Sequence, residues 1–227
     1  MTTHANVIAL ARRAQARPAS RWLALGAIVG PVLFTLAWSV LGFLSPGLVF
    51  AGSPLIPASP ITAPISGLGL TSPFMNAAFV LGGILLIFGV LGVFSRSDMA
   101  SGQPAARWAC AALLALSGFG MVVAGVFTLE SHVMHFVGFG TAAGAPVFSF
   151  LAAGFYFRAI PRWRQFGNWL LLASPLTLVL FVLSQLTFDQ ATIEAGQGMA
   201  GVTSRVLALE VCAWFAALGW FALRTAD

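Results

Sequence analysis

Two histidines and a glutamate near the middle of the chain are the residues best suited to chemistry. Glu130, His132 and His135 stand in one short run, where one apolar segment ends and the next begins. On a helix that begins near Ser131, the two imidazoles lie three positions apart on one face, and Glu130 can turn back toward either ring. Asp189, in a later connection, is a further acid that can approach them.

This group of side chains allows two interpretations. Histidine and carboxylate side chains bind zinc, and a catalytic zinc keeps one coordination position open, so Glu130, His132 and His135 are weak candidates for a metal or acid–base site. Alternatively, the histidines are amphipathic residues that form hydrogen bonds at the level of the lipid headgroups. We prefer the second interpretation, because no HExxH motif or His-Asp-Ser constellation accompanies them. No cofactor is therefore predicted, and zinc is kept as the alternative.

A second candidate for chemistry is Glu210, an acid inside an otherwise apolar segment. Carboxylates at membrane depth are costly, so they usually face the interior of a bundle and find a partner there or hold their proton. On a helix Glu210 shares a face with Ala213 and Ala217, whose small side chains suit close packing. Arg205 lies about 140° around the helix, which strains a direct ion pair. We interpret Glu210 as an interhelical hydrogen-bonding residue, with a ligand or proton site as the alternative.

Six apolar segments position these residues. Each has the roughly 20 residues that a helix needs to cross a bilayer, and only the sixth contains charged side chains, those of Arg205 and Glu210. The segments cover residues 22–44, 74–94, 108–129, 133–157, 169–188 and 202–223. We therefore predict an all-α polytopic membrane protein, with a basic segment over residues 1–21 and a single six-helix bundle over residues 22–224.

The composition excludes a soluble domain. Of the 227 residues, 59% are hydrophobic and only 7% are charged, whereas soluble domains carry about 25% charged residues. The net charge of +5 comes from arginines in short connections, which form no basic face with interleaved aromatic residues. It therefore predicts no nucleic-acid partner. Membrane lipids are the predicted partners, and the oligomeric state stays open.

The arginines also predict the orientation. If the N-terminus is cytoplasmic, ten of the eleven basic residues fall on the cytoplasmic side and Arg205 alone falls outside. Basic residues in short loops are retained on the cytoplasmic side. We therefore predict a multi-pass protein of the cell (inner) membrane with both termini in the cytoplasm. Glu130, His132 and His135 then lie toward the outer end of the bundle.

The longest connection, residues 45–73, contains no charged residue. Pro54, Pro57, Pro60 and Pro64 prevent it from continuing as a helix. A connection so apolar is expected to lie against the outer ends of the helices, partly as a lid.

Pairs of glycines predict where helix backbones approach each other. Gly26 and Gly30 are spaced as GxxxG, and so are Gly140 and Gly144. This spacing lets backbones touch. Because six helices must pack on one another within the chain, we interpret both pairs as intramolecular contacts rather than as a dimer face.

Short motifs along most of the chain resemble those of one membrane protein family. The strongest is the run ISGLGLTSPFMNAAF at residues 65–79, which leads into the second segment. Others are a Gly-Pro pair at residues 30–31, Ala-Gly-Val-Phe at residues 124–127, His132 with His135, and the run from Gly201 to Arg205 that Trp214 follows. They resemble the bacterial and archaeal membrane family known as domain of unknown function 998. The resemblance extends over about residues 22–224 and implies a six-helix membrane fold without an established activity.

The resemblance also implies a site. It favours an outward-facing cluster of side chains from four regions of the chain: Ser66, Asn76, Glu130, His132, His135 and Arg205. Two departures bear on that cluster. Members often have Phe-Pro-x-Asp after the third helix, where residues 127–130 here read Phe-Thr-Leu-Glu, and members often have Gln-Arg where this chain has Ser204 and Arg205.

Three functions stay open at this point, and whether the protein is an enzyme is among the open questions. We favour a protein that binds or handles a lipid or other apolar ligand from the outer leaflet, because the long loop lacks charge and phenylalanine is abundant. The alternatives are an intramembrane enzyme with an outer His/Glu site and a small transporter or accessory subunit in which Glu210 couples transport. No inverted repeat is detectable, which argues against transport.

Overall fold

Six helices in the described part of the chain are long and apolar enough to cross a membrane. A computed structural model describes residues 22–49, 56–57, 59–96 and 103–224; the predicted basic segment over residues 1–21 lies outside them. We number the membrane-spanning helices as spans 1 to 6: Trp22–Leu44, Pro73–Phe94, Pro104–Val126, His132–Arg158, Pro161–Thr187 and Ala200–Arg224. The predicted all-α six-helix membrane bundle is confirmed, and the chain is a multi-pass membrane protein.

Spans 3 and 5 begin earlier than the sequence predicts, at Pro104 and Pro161. The predicted limits stopped short of the arginines in these stretches, although arginine is tolerated at the end of a membrane helix because its long side chain reaches the interface. Proline fits the first helical turn, since its missing N–H has no partner there in any case. Span 5 opens with a 3-10 turn at Pro161–Trp163 and continues as α-helix over Arg164–Thr187.

Span 4 contains a π-helical turn in its middle. Its α-helix runs over His132–Phe139, widens to a π-helix at Gly140–Gly144 and resumes over Ala145–Arg158. Pro146 follows the wide turn and cannot donate to the carbonyl of Ala142, four residues earlier. That carbonyl instead accepts a hydrogen bond from the Ser117 hydroxyl of span 3 at 2.6 Å. A neighbouring span thus satisfies the carbonyl that proline leaves without its usual partner.

The first glycine pair lies where the sequence predicts a close backbone approach. A methyl group at Gly26 would collide with the carbonyl of Leu85, and one at Gly30 with the carbonyl of Gly82, so spans 1 and 2 cross in direct backbone contact. The second pair behaves differently. A methyl group at Gly140 would meet nothing within 4 Å, and the atoms nearest to one at Gly144 belong to the ring of Phe181, at 3.3 Å or more.

The connection between spans 1 and 2 folds onto one end of the bundle. Its strands β1 (Gly47–Leu48) and β2 (Ile56–Pro57) form a minimal antiparallel pair. A 3-10 turn at Ile65–Gly67 and a short helix at Leu68–Thr71 then lead into span 2. We call the end of the bundle that carries residues 45–49, 56–57, 59–72, 127–131 and 188–199 the loop side. A short helix at Gln190–Glu194 also lies there.

The half of the bundle away from the loop side is closed by an aromatic cluster. Its rings have centroids 4.8–5.9 Å apart, in the range where aromatic pairs attract. They belong to Phe94, Phe157, Trp163, Phe166 and Phe221. Three of these side chains, Phe94, Phe157 and Trp163, are fully buried, so this half is tightly packed.

Candidate functional site

A cavity of about 110 Å³ lies in the loop-side half of the bundle. All six spans contribute to its wall, and so do residues 64–66 of the connection between spans 1 and 2, which we call the loop. Among the residues that the structure describes, no charged side chain lines it and six phenylalanines do: Phe34, Phe79, Phe136, Phe139, Phe188 and Phe215. Concave, mostly apolar spaces with a few convergent polar groups are the usual form of a small-molecule site.

Three serines in the cavity wall have internal hydrogen-bond partners. Ser117 donates to the Ala142 carbonyl as described above, and Ser184 donates to the carbonyl of Phe181 at 2.8 Å. The hydroxyl of Ser204 donates to the carbonyl of Gly201 at 3.1 Å and accepts from the backbone N–H of Ile65 at 3.4 Å. These hydroxyls are therefore engaged in holding helices and loop together.

His135 is a buried polar side chain in the cavity wall. It lies in the first turns of span 4, is 4% exposed, and lines the cavity. Its Nδ1 atom is 2.7 Å from the carbonyl of Phe127 and 3.2 Å from that of Ala124. The last carbonyls of a helix lack partners within that helix, and span 3 ends at Val126. His135 therefore caps the C-terminus of span 3 with a side-chain donor.

This capping role fixes which ring nitrogen carries the proton. Backbone carbonyls can only accept, so Nδ1 must donate and carry hydrogen. In the neutral imidazole Nε2 then presents a lone pair. Nε2 has no hydrogen-bond partner among the residues that the structure describes.

Two further polar side chains of the wall have no internal hydrogen bond. Ser66, in the 3-10 turn of the loop, and Gln185, near the end of span 5, both line the cavity. Neither side chain is hydrogen-bonded to any part of the chain for which the structure gives positions. Ser66 was among the sequence candidates, whereas Gln185 was missed. Its position inside an apolar span could have indicated a site, because polar side chains at membrane depth are costly and usually have a structural or functional role.

Glu130 and His132 do not join His135 at the cavity. Both side chains are exposed, and Nδ1 of His132 lies 3.4 Å from the backbone carbonyl of Glu130. Within residues 22–49, 56–57, 59–96 and 103–224, no group of three or more His, Cys, Asp or Glu side chains could hold a metal ion. The structure thus separates the histidine that faces the cavity from the two residues that stand outside it.

Asp189 is likewise outside the cavity wall. Its carboxylate caps the short helix Gln190–Glu194, accepting from the backbone N–H of Thr192 at 2.9 Å and from the hydroxyl of Thr192 at 2.5 Å. These hydrogen bonds lower the pKa of Asp189 below its usual value, because they stabilise the charged form. Asp189 is a helix N-cap of an ordinary kind.

Asn76 locks the turn that leads into span 2. Its side-chain amide donates to the carbonyl of Gly69 at 2.9 Å. A methyl group at position 69 would overlap the Asn76 side-chain oxygen, so glycine there leaves room for Asn76 in this hydrogen-bonded position. The run at residues 65–79 that carries the family resemblance thus has a structural reason for its Leu-Gly and its Asn.

Arg205 clamps the loop onto the start of span 6. Its Nη1 atom donates to the carbonyls of Ala63 at 2.7 Å and Pro60 at 3.0 Å, and to that of Gly201 at 2.9 Å within its own helix. The guanidinium carbon lies 5.7 Å from the ring centroid of Trp38, a cation–π distance. Arg205 does not itself line the cavity, but the loop that it holds does.

Glu210 faces two neutral partners in the bundle. The Thr177 hydroxyl of span 5 lies 3.0 Å from both carboxyl oxygens, and Nε1 of Trp214 donates to Oε1 at 2.8 Å. The Thr177 hydroxyl is also 2.9 Å from the carbonyl of Ala173. With a protonated carboxyl each donor has one acceptor: Glu210 donates to Thr177, Thr177 to Ala173, and Trp214 to the other carboxyl oxygen. Glu210 is outside the cavity wall, so its contacts match those of an interhelical hydrogen-bonding residue.

Replacing Glu210 with glutamine should therefore leave the fold intact. The amide of Glu210→Gln can donate to Thr177 and accept from Trp214, so we expect a loss of less than about 1 kcal/mol in the free energy of unfolding. Glu210→Ala, the matched comparison, leaves the Trp214 N–H unpaired and should cost about 2 kcal/mol. Thermal unfolding of the three proteins in detergent measures the difference. Equal destabilisation by Gln and Ala would contradict this account of the hydrogen bonds.

The comparisons with known proteins agree with the motifs. A family model described as "Protein of unknown function (DUF998)" matches residues 28–221, a range that includes spans 2 to 5 in full, most of spans 1 and 6, and the loop between spans 1 and 2. No curated protein and no solved structure matches the chain. The match confirms the family predicted from the sequence, and the chain belongs to the DUF998 family.

Proposed function

We propose that the protein binds a lipid or another apolar molecule in the cavity of the loop-side half. The observation that carries this proposal is a space walled by all six spans, where the lining residues that the structure describes include six phenylalanines and no charged side chain. An apolar cavity of about 150 Å³ is known to hold benzene. A cavity of about 110 Å³ therefore suits a small molecule or one end of a longer chain.

The orientation predicted from the arginines belongs to the same proposal. With both termini in the cytoplasm, the loop side faces outward and the ligand comes from the outer leaflet. The loop then covers the cavity from the outside, with Arg205 holding it in place.

Photolabelling tests this function directly. We expect a short alkyl diazirine to label the purified protein in a saturable manner, at cavity residues such as Met121 and Phe139. Ala208→Phe should reduce saturable labelling about tenfold, since a phenyl ring occupies much of a cavity of this size. Ala143→Phe, from a different span, should do the same.

Ala77→Phe is the control for both substitutions. It makes the same change at an exposed position of span 2, outside the cavity wall, and should label like the unmodified protein. Thermal unfolding would verify that all variants are folded. Labelling that does not saturate, or that Ala208→Phe and Ala143→Phe leave unchanged in folded protein, would contradict the proposal.

A further inference from the structure

We infer that the ligand is an electrically neutral molecule that carries a hydroxyl or similar hydrogen-bond donor on an apolar body, and that Nε2 of His135 accepts this hydrogen bond. The inference deepens the proposed function and rests on it. It assigns the chemical class of the ligand, an amphipathic alcohol rather than a hydrocarbon or a fatty acid.

The first step is whether His135 can donate or accept a hydrogen bond in the cavity. Nδ1 is committed as a donor to the carbonyls of Phe127 and Ala124. Rotating or flipping the ring would leave both carbonyls without this partner, at the cost of burying unpaired polar groups. The neutral ring therefore offers the cavity an acceptor, and an acceptor selects ligands that can donate.

The second step is the absence of charge around the cavity. No Arg, Lys, Asp or Glu side chain from the described part of the chain lines it, so an anionic headgroup placed inside would have no counter-charge there. Burying a charge without a partner is far more costly than burying a hydroxyl that keeps one hydrogen bond. The lone pair of Nε2 would also repel a carboxylate. A neutral ligand is therefore favoured over a fatty acid.

The third step concerns the other two groups without internal partners. The Ser66 hydroxyl and the Gln185 side-chain amide line the same cavity as His135, and both can donate. A ligand hydroxyl has one proton to give to Nε2 and lone pairs to accept from such a donor. A carbonyl or ether oxygen could use only Ser66 and Gln185 and would leave His135 unpaired. An alcohol is thus the group that uses both kinds of partner.

Competition with the alkyl diazirine tests this inference with two isomers. 1-Hexanol and methyl pentyl ether have the same atoms and nearly the same size, but only the alcohol donates. At equal concentration in the detergent micelle, we expect 1-hexanol to displace the probe about ten times better than the ether and than hexanoate. This comparison uses the unmodified protein and decides the ligand class without any variant.

His135→Asn then tests the residue. The Asn amide can replace the Nδ1–H that caps span 3, while the Nε2 acceptor is lost. We expect the alcohol to lose its tenfold advantage in this variant, with displacement by the ether unchanged. In unmodified protein, a shift of the ¹⁵N resonance of Nε2 on addition of 1-hexanol, absent with the ether, gives a second measurement that does not depend on the folding of the variant.

The outcomes separate this inference from the function on which it rests. If the ether or hexanoate competes as well as 1-hexanol, the ligand class is wrong while the cavity still binds apolar molecules. If the alcohol keeps its advantage in folded His135→Asn, or the Nε2 resonance does not respond to it, the role of His135 is wrong. If the probe labels without saturation, the proposed function itself fails.

Discussion

Replacing Gly89 with alanine is expected to destabilise the bundle by about 3 kcal/mol, one of the largest effects of any single methyl group in this protein. Gly89 of span 2 lies against the backbone of span 1, and an added Cβ would overlap the backbone at Gly26 and Ala27. A flexible side chain could move aside, but backbone can yield only if the two helices separate. Overpacking of this kind typically costs 1–3 kcal/mol and sometimes more, and separation would also disturb the neighbouring contacts of Gly30.

Gly140→Ala is the matched control, because a methyl group there would meet nothing within 4 Å. Cys110 is buried and Cys212 partly buried, and both are free thiols. The reaction of a thiol-specific dye during heating in detergent therefore reports unfolding. Gly89→Ala should unfold well below the unmodified protein and Gly140→Ala close to it. Two variants that unfold at the same temperature would rule out the tight crossing.

The glycines of spans 1, 2 and 4 also show how far GxxxG spacing in the sequence predicts helix packing. GxxxG spacing predicted a close approach at Gly26 and Gly30, and the backbone of span 2 lies there. The same spacing at Gly140 and Gly144 falls in a π-helical turn before Pro146, where the geometry of a regular helix no longer applies. The partner glycine, Gly89, stands outside any GxxxG pair, and only the fold shows which face of span 2 it occupies.

The six-helix bundle was predictable because hydrophobic length alone specifies a membrane span. The polar contacts were not, because most of their partners are backbone carbonyls. His135 was a candidate from its residue type, yet the Phe127 and Ala124 carbonyls that it caps have no signature in the sequence. Arg205 likewise binds the carbonyls of Pro60 and Ala63 across more than a hundred residues. Side-chain chemistry suggested which residues matter, and the fold decides what each one touches.

The division of the bundle into two unlike halves explains where a ligand could bind. Away from the loop side, stacked aromatic rings fill the space between spans 2, 4, 5 and 6. In the loop-side half, Pro31 and Pro64 line the cavity, and so do Ala142 and Ala143 of the π-helical turn. Proline and a wide helical turn both interrupt regular helix packing. The cavity therefore lies where the chain departs from regular helix, and the packed half supports it.

Arg205 controls how firmly the loop covers that cavity, so Arg205→Met should release the loop. The substitution keeps an apolar stem of similar reach but removes the donor that bridges Pro60, Ala63 and Gly201. Hydrogen bonds to a charged group contribute about 1.5–3 kcal/mol each. The N–H of Val202 still donates to Ile61 and the N–H of Ile65 to the Ser204 hydroxyl, so these remaining hydrogen bonds limit the loss in the free energy of opening the loop to about 3 kcal/mol. A shift of that size makes the open state of the loop about a hundredfold more populated.

Hydrogen exchange measured by mass spectrometry checks this expectation, because amides of residues 59–72 should exchange about a hundredfold faster in Arg205→Met. Amides of the aromatic half should keep their rates, since Trp163 and Phe166 are remote from the loop side. Arg162→Met is the control, as it removes an exposed arginine at the opposite end of the bundle. If the loop exchanges at the same rate in all three proteins, Arg205 does not hold it. If it exchanges faster only in Arg205→Met, the diazirine probe should also dissociate faster from that variant, because the loop residues Pro64, Ile65 and Ser66 form part of the cavity wall and would move away with the loop.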